Sequence, residues 1–151
     1  GAGYSTLVLQ KEAPEKCEIV TIEKNIDRGE AAREFFKAAG VDSSINLKLD
    51  DAREVLPHLR RQFDFIFIDG AKGQYPRYLK ECKPLLTSGS IIVADNILYH
   101  GLVQKRGKVP HSHRTLVKRL REYLRLLGEI ENLETRIFKI GDGLAVSKYR
   151  V

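Results

Sequence analysis

Oxygen-bearing side chains directly follow two apolar runs in the middle of the sequence. Residues 65–68 lead into Asp69, and residues 91–94 lead into Asp95 and Asn96. Short runs with large apolar side chains on both faces are typical of strands buried inside a parallel sheet. Open α/β sheets bind their ligands at the carboxyl ends of such strands. We therefore expect Asp69, Asp95 and Asn96 to meet at one edge of a sheet.

This trio offers only oxygen ligands, which suit Mg²⁺ or Ca²⁺ and argue against zinc. Two carboxylates would leave coordination positions open for water and substrate, so the ion could hold two neighbouring substrate oxygens and acidify one of them. Lys72 follows Asp69 closely enough to take the released proton. The alternatives are that Asp and Asn cap helices at strand ends and that Lys72 is an ordinary surface lysine in a turn.

A second candidate site lies near the start of the chain. Gly1 and Gly3 form a Gly-x-Gly turn, and Glu23 ends a predicted strand about 20 residues later. In dinucleotide-type folds the glycines let the backbone approach the cofactor, and the acid accepts hydrogen bonds from ribose hydroxyls. Both features occur often by chance. A solvated acid before a helix N-terminus explains Glu23 equally well.

The order of the predicted elements indicates an α/β fold. Strands are predicted at residues 18–23, 45–49, from Phe63 and from Ser90. Helices are predicted from Thr6 to a point before Pro14, from Asn25 or Asp27 to Gly40, at 52–61, where Pro57 either kinks the helix or lies in its first turn, and at 78–86. This alternation predicts a doubly wound, mostly parallel sheet. Gly141-Asp142-Gly143, between strands predicted at 133–140 and 144–149, predicts a closing antiparallel hairpin.

Length and composition favour one domain over residues 1–151, with an apolar share of 42%. No stretch approaches the roughly 20 apolar residues of a membrane-spanning helix, so we expect a soluble, cytoplasmic protein without a membrane partner. Cys17 and Cys82 have no metal or redox spacing, which favours buried free thiols in a reducing compartment.

The positive charge is concentrated in one segment. The whole chain carries a net charge of +6, and residues 105–125 alone carry +7. A helix predicted from Arg114 places basic residues in one stripe, and the preceding loop extends it. The candidate polyanion-binding residues are Lys105, Arg106, Lys108, Arg114, Lys118, Arg121 and Arg125. A solvated helix face is the alternative.

The sequence resembles the class I S-adenosylmethionine-dependent methyltransferases. Within them it is similar to the metal-dependent O-methyltransferases that include catechol and caffeoyl-coenzyme A O-methyltransferases. The matching stretches are GYST, VTIEKN, FDFIFIDGAK, IIVADNILYHG and IGDGLAVSK, which occur in the family's order across the chain. AKGQY, DNILYHGLV and the Arg-Thr-Leu-Val-Lys helix most resemble the bacterial branch that methylates 5-hydroxyuridine at the transfer RNA wobble position.

The resemblance implies a Rossmann-like methyltransferase sheet and a set of roles. Asp69, Asp95 and Asn96 match the ligands of Mg²⁺, or of Ca²⁺ or Mn²⁺, and Lys72 with Asp69 matches the catalytic centre. The residues matched to S-adenosylmethionine are Gly3, Tyr4, Ser5, Glu23, Asp51, Ala52 and Asp69. The implied reaction transfers the sulfonium methyl group to a metal-activated hydroxyl oxygen, most closely 5-hydroxyuridine to 5-methoxyuridine in tRNA.

Family members carry a strand and helices ahead of GYST, and they form homodimers at full length. The chain begins inside that loop, so we expect it to be N-terminally truncated, with two apolar strand edges exposed by the missing first strand. Two alternatives stay open. One is an O-methyltransferase of a small catechol-like or acyl-coenzyme A phenol, and the other is a catalytically impaired nucleic-acid-binding fragment.

Overall fold

The computed structural model describes residues 2–150, which divide into two compact units on either side of the His58–Leu59 bond. The prediction of a single domain over residues 1–151 stays a prediction. Gly1, part of the predicted glycine turn, lies outside the described residues. Within residues 2–150, no helix has both the length and the apolar character needed to cross a membrane.

The first unit pairs two parallel strands and carries three helices. Its elements are α1 (Tyr4–Glu12), β1 (Ile19–Glu23), α2 (Ile26–Ala38), β2 (Ile45–Leu49) and α3 (Ala52–Val55). β1 and β2 are parallel, with Ile19 opposite Ile45 and Glu23 opposite Leu49. The connection between two adjacent parallel strands through a helix is the βαβ unit that the sequence pattern predicts.

Local signals explain where these helices begin and end. Asn25 caps α2, because its side-chain oxygen accepts a hydrogen bond from the Arg28 amide at 2.9 Å. Gly40, with φ of 67°, follows the helix in the left-handed conformation that ends many helices. The helix predicted over 52–61 is wrong in length. α3 is a single turn followed by a 3₁₀ turn, Leu56–His58, because Pro57 has no N–H to continue the α-helical ladder.

The core of the first unit joins α2 to the strands. Ala32 and Phe36 of α2 are buried with Ile45, and Leu7 of α1 packs against them. A Cβ on Gly3 would lie 2.7 Å from the Phe36 ring and 2.9 Å from the Ala32 methyl group. The position therefore needs glycine for close approach of α1 to α2, besides its φ of +83°.

The second unit contains a four-stranded sheet with two helices. Its elements are β3 (Phe63–Ile68), α4 (Tyr75–Cys82), β4 (Leu86–Ala94), α5 (Arg114–Glu129), β5 (Leu133–Phe138) and β6 (Leu144–Tyr149). The strand order is β3-β4-β6-β5, with β3 parallel to β4 and β6 antiparallel to both β4 and β5. Within residues 2–150 four of the six strands form parallel pairs, so the mostly parallel α/β fold with a closing antiparallel hairpin is confirmed. α4 begins earlier than predicted because Pro76 is accommodated in its first turn.

β3 differs from the buried strand that its apolar sequence predicts. Ile68 is buried, whereas Phe65 is 43% exposed. Among residues 2–150, β3 pairs only with β4 and β1 pairs only with β2. Each of these strands therefore has one edge without a neighbouring strand in this part of the chain.

Helices α4 and α5 pack against the sheet of the second unit and form a hydrophobic core with it. α4 and α5 pack against each other through Tyr75 and Tyr123, whose rings meet edge to face with centroids 5.5 Å apart. Leu79 of α4 and Leu120 of α5 are fully buried. The buried face of α5 consists of Val117, Leu120, Tyr123 and Leu127.

The two cysteines differ in accessibility, which corrects the expectation that both are buried. Cys82 is 2% exposed, and burial raises the pKa of its thiol to about 12, whereas Cys17 is partly exposed. Because the thiolate is the reactive form, we expect iodoacetamide at neutral pH to alkylate Cys17 and to spare Cys82 in the native protein. Intact mass spectrometry should show one adduct before unfolding and two after. Prompt alkylation of native Cys17→Ser protein would contradict this assignment.

Candidate active site

The carboxyl ends of β3 and β4 lie side by side. Ile68 pairs with Ala94, and the Asp95 amide donates a hydrogen bond to the Ile68 carbonyl at 3.0 Å. The next residue on each strand is therefore a carboxylate, Asp69 on one and Asp95 on the other. The predicted meeting of these two acids at one sheet edge follows directly from the parallel register.

A buried tyrosine ties these two strand ends together. The Tyr75 hydroxyl lies 3.0 Å from the Asp95 carbonyl oxygen and 3.3 Å from the Ile68 carbonyl oxygen. Burial, and to a lesser degree the Asp69 carboxylate, raise the Tyr75 pKa far above its usual value, so the hydroxyl stays a donor. Sequence reasoning does not single out this residue, because a tyrosine at the start of a helix has no distinctive signal.

Asn96 follows in a constrained conformation. Its φ is +54°, in the left-handed region that Asn tolerates better than most residues. The backbone N–H of Asn96 donates a hydrogen bond to Asp95 Oδ1 at 2.6 Å, and this bond restrains the Asp95 carboxylate. Asp69 is exposed, and Asp95 and Asn96 are half-buried, so the three side chains are accessible to a ligand.

The donor set fits a hard divalent cation. Within residues 2–150 no cluster of three or more His, Cys, Asp or Glu side chains has metal-binding geometry. A cation bound at this edge would take the Asp69 and Asp95 carboxylates, the side-chain oxygen of Asn96, and water or substrate as ligands. Such a set suits Mg²⁺, Mn²⁺ or Ca²⁺ with positions left for exchange.

Lys72 lies in the connection between β3 and α4. It begins a 3₁₀ turn, Lys72–Gln74, in which the Gln74 amide donates to the Ala71 carbonyl at 2.7 Å. Its side chain is half-buried. Lys72 lies three residues after Asp69 in sequence, and the hydrogen-bonded turn restrains its backbone.

The residues matched to the cofactor's ribose and adenine lie in the first unit, again at strand ends. Glu23 ends β1, and its carboxylate accepts from the Asn25 amide at 2.8 Å. Asp51 follows β2 and caps α3, which begins at Ala52. The Arg53 guanidinium, 2.8 Å from Asp51, holds the pKa of that carboxyl well below its usual range. Asp51 is therefore a charged helix cap and ion-pair partner.

The loop matched to the methionine portion of the cofactor leads into α1. Gly3 precedes the helix, and Tyr4 and Ser5 form its first turn, with Tyr4 74% exposed. The hydroxyls of Thr6 and Thr21 lie 3.1 Å apart and join α1 to β1. The structure thus attaches the glycine turn to the strand that ends in Glu23.

The predicted basic stripe divides into two groups of residues. Arg121 donates to the carbonyls of Val103 at 3.0 Å and Lys105 at 2.7 Å, and Arg114 donates to the Val109 carbonyl at 3.1 Å. These two arginines hold the loop that precedes α5. Arg125 pairs with Glu129 one turn away. The sequence shows the positive charge of Arg114, Arg121 and Arg125, but it does not show their hydrogen-bond and ion-pair partners.

The remaining members form an exposed basic set, consisting of Lys105, Arg106, Lys108 and Lys118. All four side chains are exposed. Within the described part of the chain, none of them takes part in a side-chain hydrogen bond or ion pair. These four residues, rather than the whole stripe, are available to an external anion.

Comparison with known proteins places this geometry in a family. A sequence model of the O-methyltransferase family matches residues 2–150. The tapetum-specific methyltransferase 1 of Arabidopsis thaliana is 33% identical over 151 residues, which cover 97% of this chain and 65% of that protein. The caffeoyl-CoA O-methyltransferase of Populus kitakamiensis is 31% identical over 153 residues, with the same two coverages.

Solved structures agree. The SAH-bound methyltransferase PaMTH1 of Podospora anserina superimposes with a TM-score of 0.87 at 28% identity, covering 99% of this chain and 68% of that one. The chain spans 65% of the length of the two curated relatives named above. Since the family match extends over nearly every residue, including both sets of strand-end residues, this chain belongs to the O-methyltransferase family.

Proposed function

We propose that the chain serves S-adenosylmethionine-dependent, divalent-metal-dependent O-methyl transfer. The observation that carries the proposal is that two hydrogen-bonded parallel strands end side by side, with Asp69 following β3 and with Asp95 and Asn96 following β4. The Tyr75 hydroxyl lies against the Ile68 and Asp95 carbonyl oxygens at these strand ends. Family membership and the SAH-bound relative support the choice of methyl donor.

Asp69, Asp95 and Asn96 would hold the cation, and the strand-end acids Glu23 and Asp51 would receive the nucleoside part of S-adenosylmethionine. When bound, the two groups supply Lewis acidity toward neighbouring substrate oxygens and an electrophilic sulfonium methyl group. The chain's own contribution is orientation. The Tyr75 hydroxyl and the strand register hold the backbone at the ends of β3 and β4, from which the two carboxylates extend, and this lowers the cost of organising the site.

Lys72 is the proposed base. The hydroxyl to be methylated must lose its proton as its oxygen attacks the methyl carbon and the carbon–sulfur bond breaks, leaving a neutral thioether. Lys72 can take that proton through the lone pair of its unprotonated amine.

The substrate class follows from the chelating geometry expected of such a cation. A catechol presents two adjacent hydroxyl oxygens, and the similarity to a caffeoyl-CoA O-methyltransferase supports a phenolic substrate of this kind. These features favour a methyltransferase of the caffeoyl-CoA and catechol type.

A second, finer candidate is 5-hydroxyuridine at the wobble position of tRNA. Its 5-hydroxyl stands beside a ring carbonyl, so the same cation could bind both oxygens. The exposed basic set favours it, because four cationic side chains without partners in residues 2–150 form a surface for phosphates. The engagement of Arg114, Arg121 and Arg125 within the chain reduces the charge available for this role.

The deciding assay measures methyl transfer from labelled S-adenosylmethionine, with Mg²⁺ and with chelator, to tRNA carrying unmethylated 5-hydroxyuridine and in parallel to a simple catechol. Label in RNA that disappears with chelator supports the tRNA substrate, and label only in catechol supports the phenolic one. Folded protein that binds no Mn²⁺ and labels neither substrate would overturn the proposed function.

The exposed basic set provides a specific test of the tRNA candidate. Replacing Lys105, Arg106, Lys108 and Lys118 with glutamine should weaken tRNA binding and lower the slope of log K against log salt by up to roughly 3 to 4, since each phosphate contact contributes about 0.9. Turnover of catechol should stay unchanged, because a neutral substrate makes no such contacts.

A matched variant controls for net charge. Lys11, Lys16, Lys37 and Lys48 are also exposed, and their replacement with glutamine removes the same charge from the first unit. This control should leave the salt slope near that of the original protein. Equal losses in both variants would show that tRNA responds only to overall charge.

A further inference from the structure

The segment that follows Asn96 is docked on the turn of the closing hairpin. The Ile97 amide donates to the Gly143 carbonyl at 3.0 Å, and the Leu98 amide donates to the Asp142 carbonyl at 2.9 Å. The Asp142 carboxylate then accepts from the His100 amide at 2.6 Å. Three hydrogen bonds thus join residues 97–100 to a turn about 40 residues away in sequence.

This segment has a conformation that needs support. Asn96, Tyr99 and His100 all have positive φ, at 54°, 46° and 54°. Left-handed conformations cost roughly 1 kcal/mol or more for residues with a Cβ, and they persist only where surrounding structure holds them. The three hydrogen bonds that the hairpin turn accepts supply that support, next to the predicted metal ligand Asn96.

The Asp142 side chain is not required by the hairpin itself. The turn obtains its geometry from Gly141 and Gly143, with φ of 55° and 88°. The Asp142 carboxylate is partly buried, with 21% of the side chain exposed, and is directed to the His100 backbone. A carboxylate accepting from a backbone amide forms one of the stronger hydrogen bonds in proteins.

We propose that Asp142 is a positioning residue for the active site. Its carboxylate holds the backbone of residues 97–100, and this segment in turn orients the neighbouring Asn96. The side-chain oxygen of Asn96 is thereby positioned beside Asp95 to bind the cation that would hold the substrate oxygen. The proposal rests on the proposed function of this edge of the sheet. It assigns to the Gly-Asp-Gly motif a role in the site as well as in the hairpin.

The first test measures amide hydrogen exchange in the metal-free protein. Asp142→Ala removes the acceptor, and exchange at His100 and its neighbours should become roughly 10- to 100-fold faster, the range for a lost hydrogen bond to a charged group. Asp142→Asn keeps an oxygen acceptor, so its exchange rate at His100 should lie between those of the original protein and of Asp142→Ala. Glu131→Gln, an exposed acid of the same unit, should leave exchange unchanged.

The second test connects the segment to the site. Mn²⁺ titration followed by electron paramagnetic resonance should show about 10-fold weaker binding in Asp142→Ala, as for other residues that orient metal ligands. KM for catechol should rise while the affinity for S-adenosylmethionine stays constant. A general loss of folding would instead reduce the fraction of protein that binds Mn²⁺, binds S-adenosylmethionine or turns over catechol, and the milder Asp142→Asn variant separates these cases.

Two outcomes distinguish the proposals. An original protein that neither binds Mn²⁺ nor transfers methyl groups would overturn the proposed function and the positioning role with it. An active original protein whose Asp142→Ala variant keeps its Mn²⁺ affinity and its KM would overturn the positioning role alone, even if exchange at residues 97–100 became faster.

Discussion

Replacing Asp69 with asparagine is expected to lower metal-dependent methyl transfer by about 100-fold or more, since a cation that loses an anionic ligand stabilises the developing charge less well. Asparagine keeps the size of the side chain and removes its charge. Asp69 is exposed at the end of β3, so the protein should fold as before. Initial rates with Mg²⁺ and a Mn²⁺ titration measure the effect.

Asp64→Asn is the matched control, because Asp64 is an exposed acid in the same strand, at its other end. It should leave the rate and the Mn²⁺ affinity unchanged. Asp69 also matches a residue of the cofactor site, so the affinity for S-adenosylmethionine must be measured as well. Partial recovery of Asp69→Asn activity at high Mg²⁺ would support the metal role, whereas normal Mn²⁺ affinity would exclude it.

The sequence predicts most of the strands because their ends carry strong signals. β2 is bounded by a turn and by Asp50, and β6 begins directly after Gly143, so both strands lie where they are predicted. α3 fails as a ten-residue prediction because a single proline outweighs the apolar pattern. Pattern reasoning is most reliable where a local residue type fixes the backbone.

The burial of β3 is less than its sequence predicts for a different reason. An apolar run indicates what a strand can bury, but the number of neighbouring strands decides what it does bury. Phe65 is 43% exposed on a strand that pairs on one side only within residues 2–150. Burial depends on tertiary neighbours that periodicity in a single strand does not contain.

The candidate site shows the same division. Asp69 and Asp95 can be placed together from sequence because parallel strands align their carboxyl ends. Tyr75 and Asp142 cannot, since their hydrogen bonds reach residues 20 and 42 positions away and depend on register and loop path. Arg114 and Arg121 likewise show only their charge in the sequence, because their backbone partners depend on the path of the loop before α5.

A second large effect, on stability, is expected at Gly143, because residues 97–100 pack on the hairpin turn that contains it. A Cβ built there would lie 2.4 Å from Leu98 Cγ and 2.8 Å from its Cδ1, and the residue has φ of +88°. Leu98 is 8% exposed, so its side chain has little room to move away. We expect Gly143→Ala to lower the free energy of unfolding by about 2–4 kcal/mol, combining overpacking with backbone strain.

Gly141→Ala separates these two contributions. Gly141 lies in the same turn with φ of +55°, but a Cβ added there would meet no atom within 4 Å, so the replacement should cost only about 1 kcal/mol. Urea unfolding of both variants measures the difference. In a double-mutant cycle, the combined cost of Gly143→Ala and Leu98→Ala should be smaller than the sum of the two single costs, because the close contacts with Leu98 Cγ and Cδ1 are then absent. Equal destabilisation by the two glycine replacements would assign the whole effect to backbone strain and would remove Leu98 from the explanation.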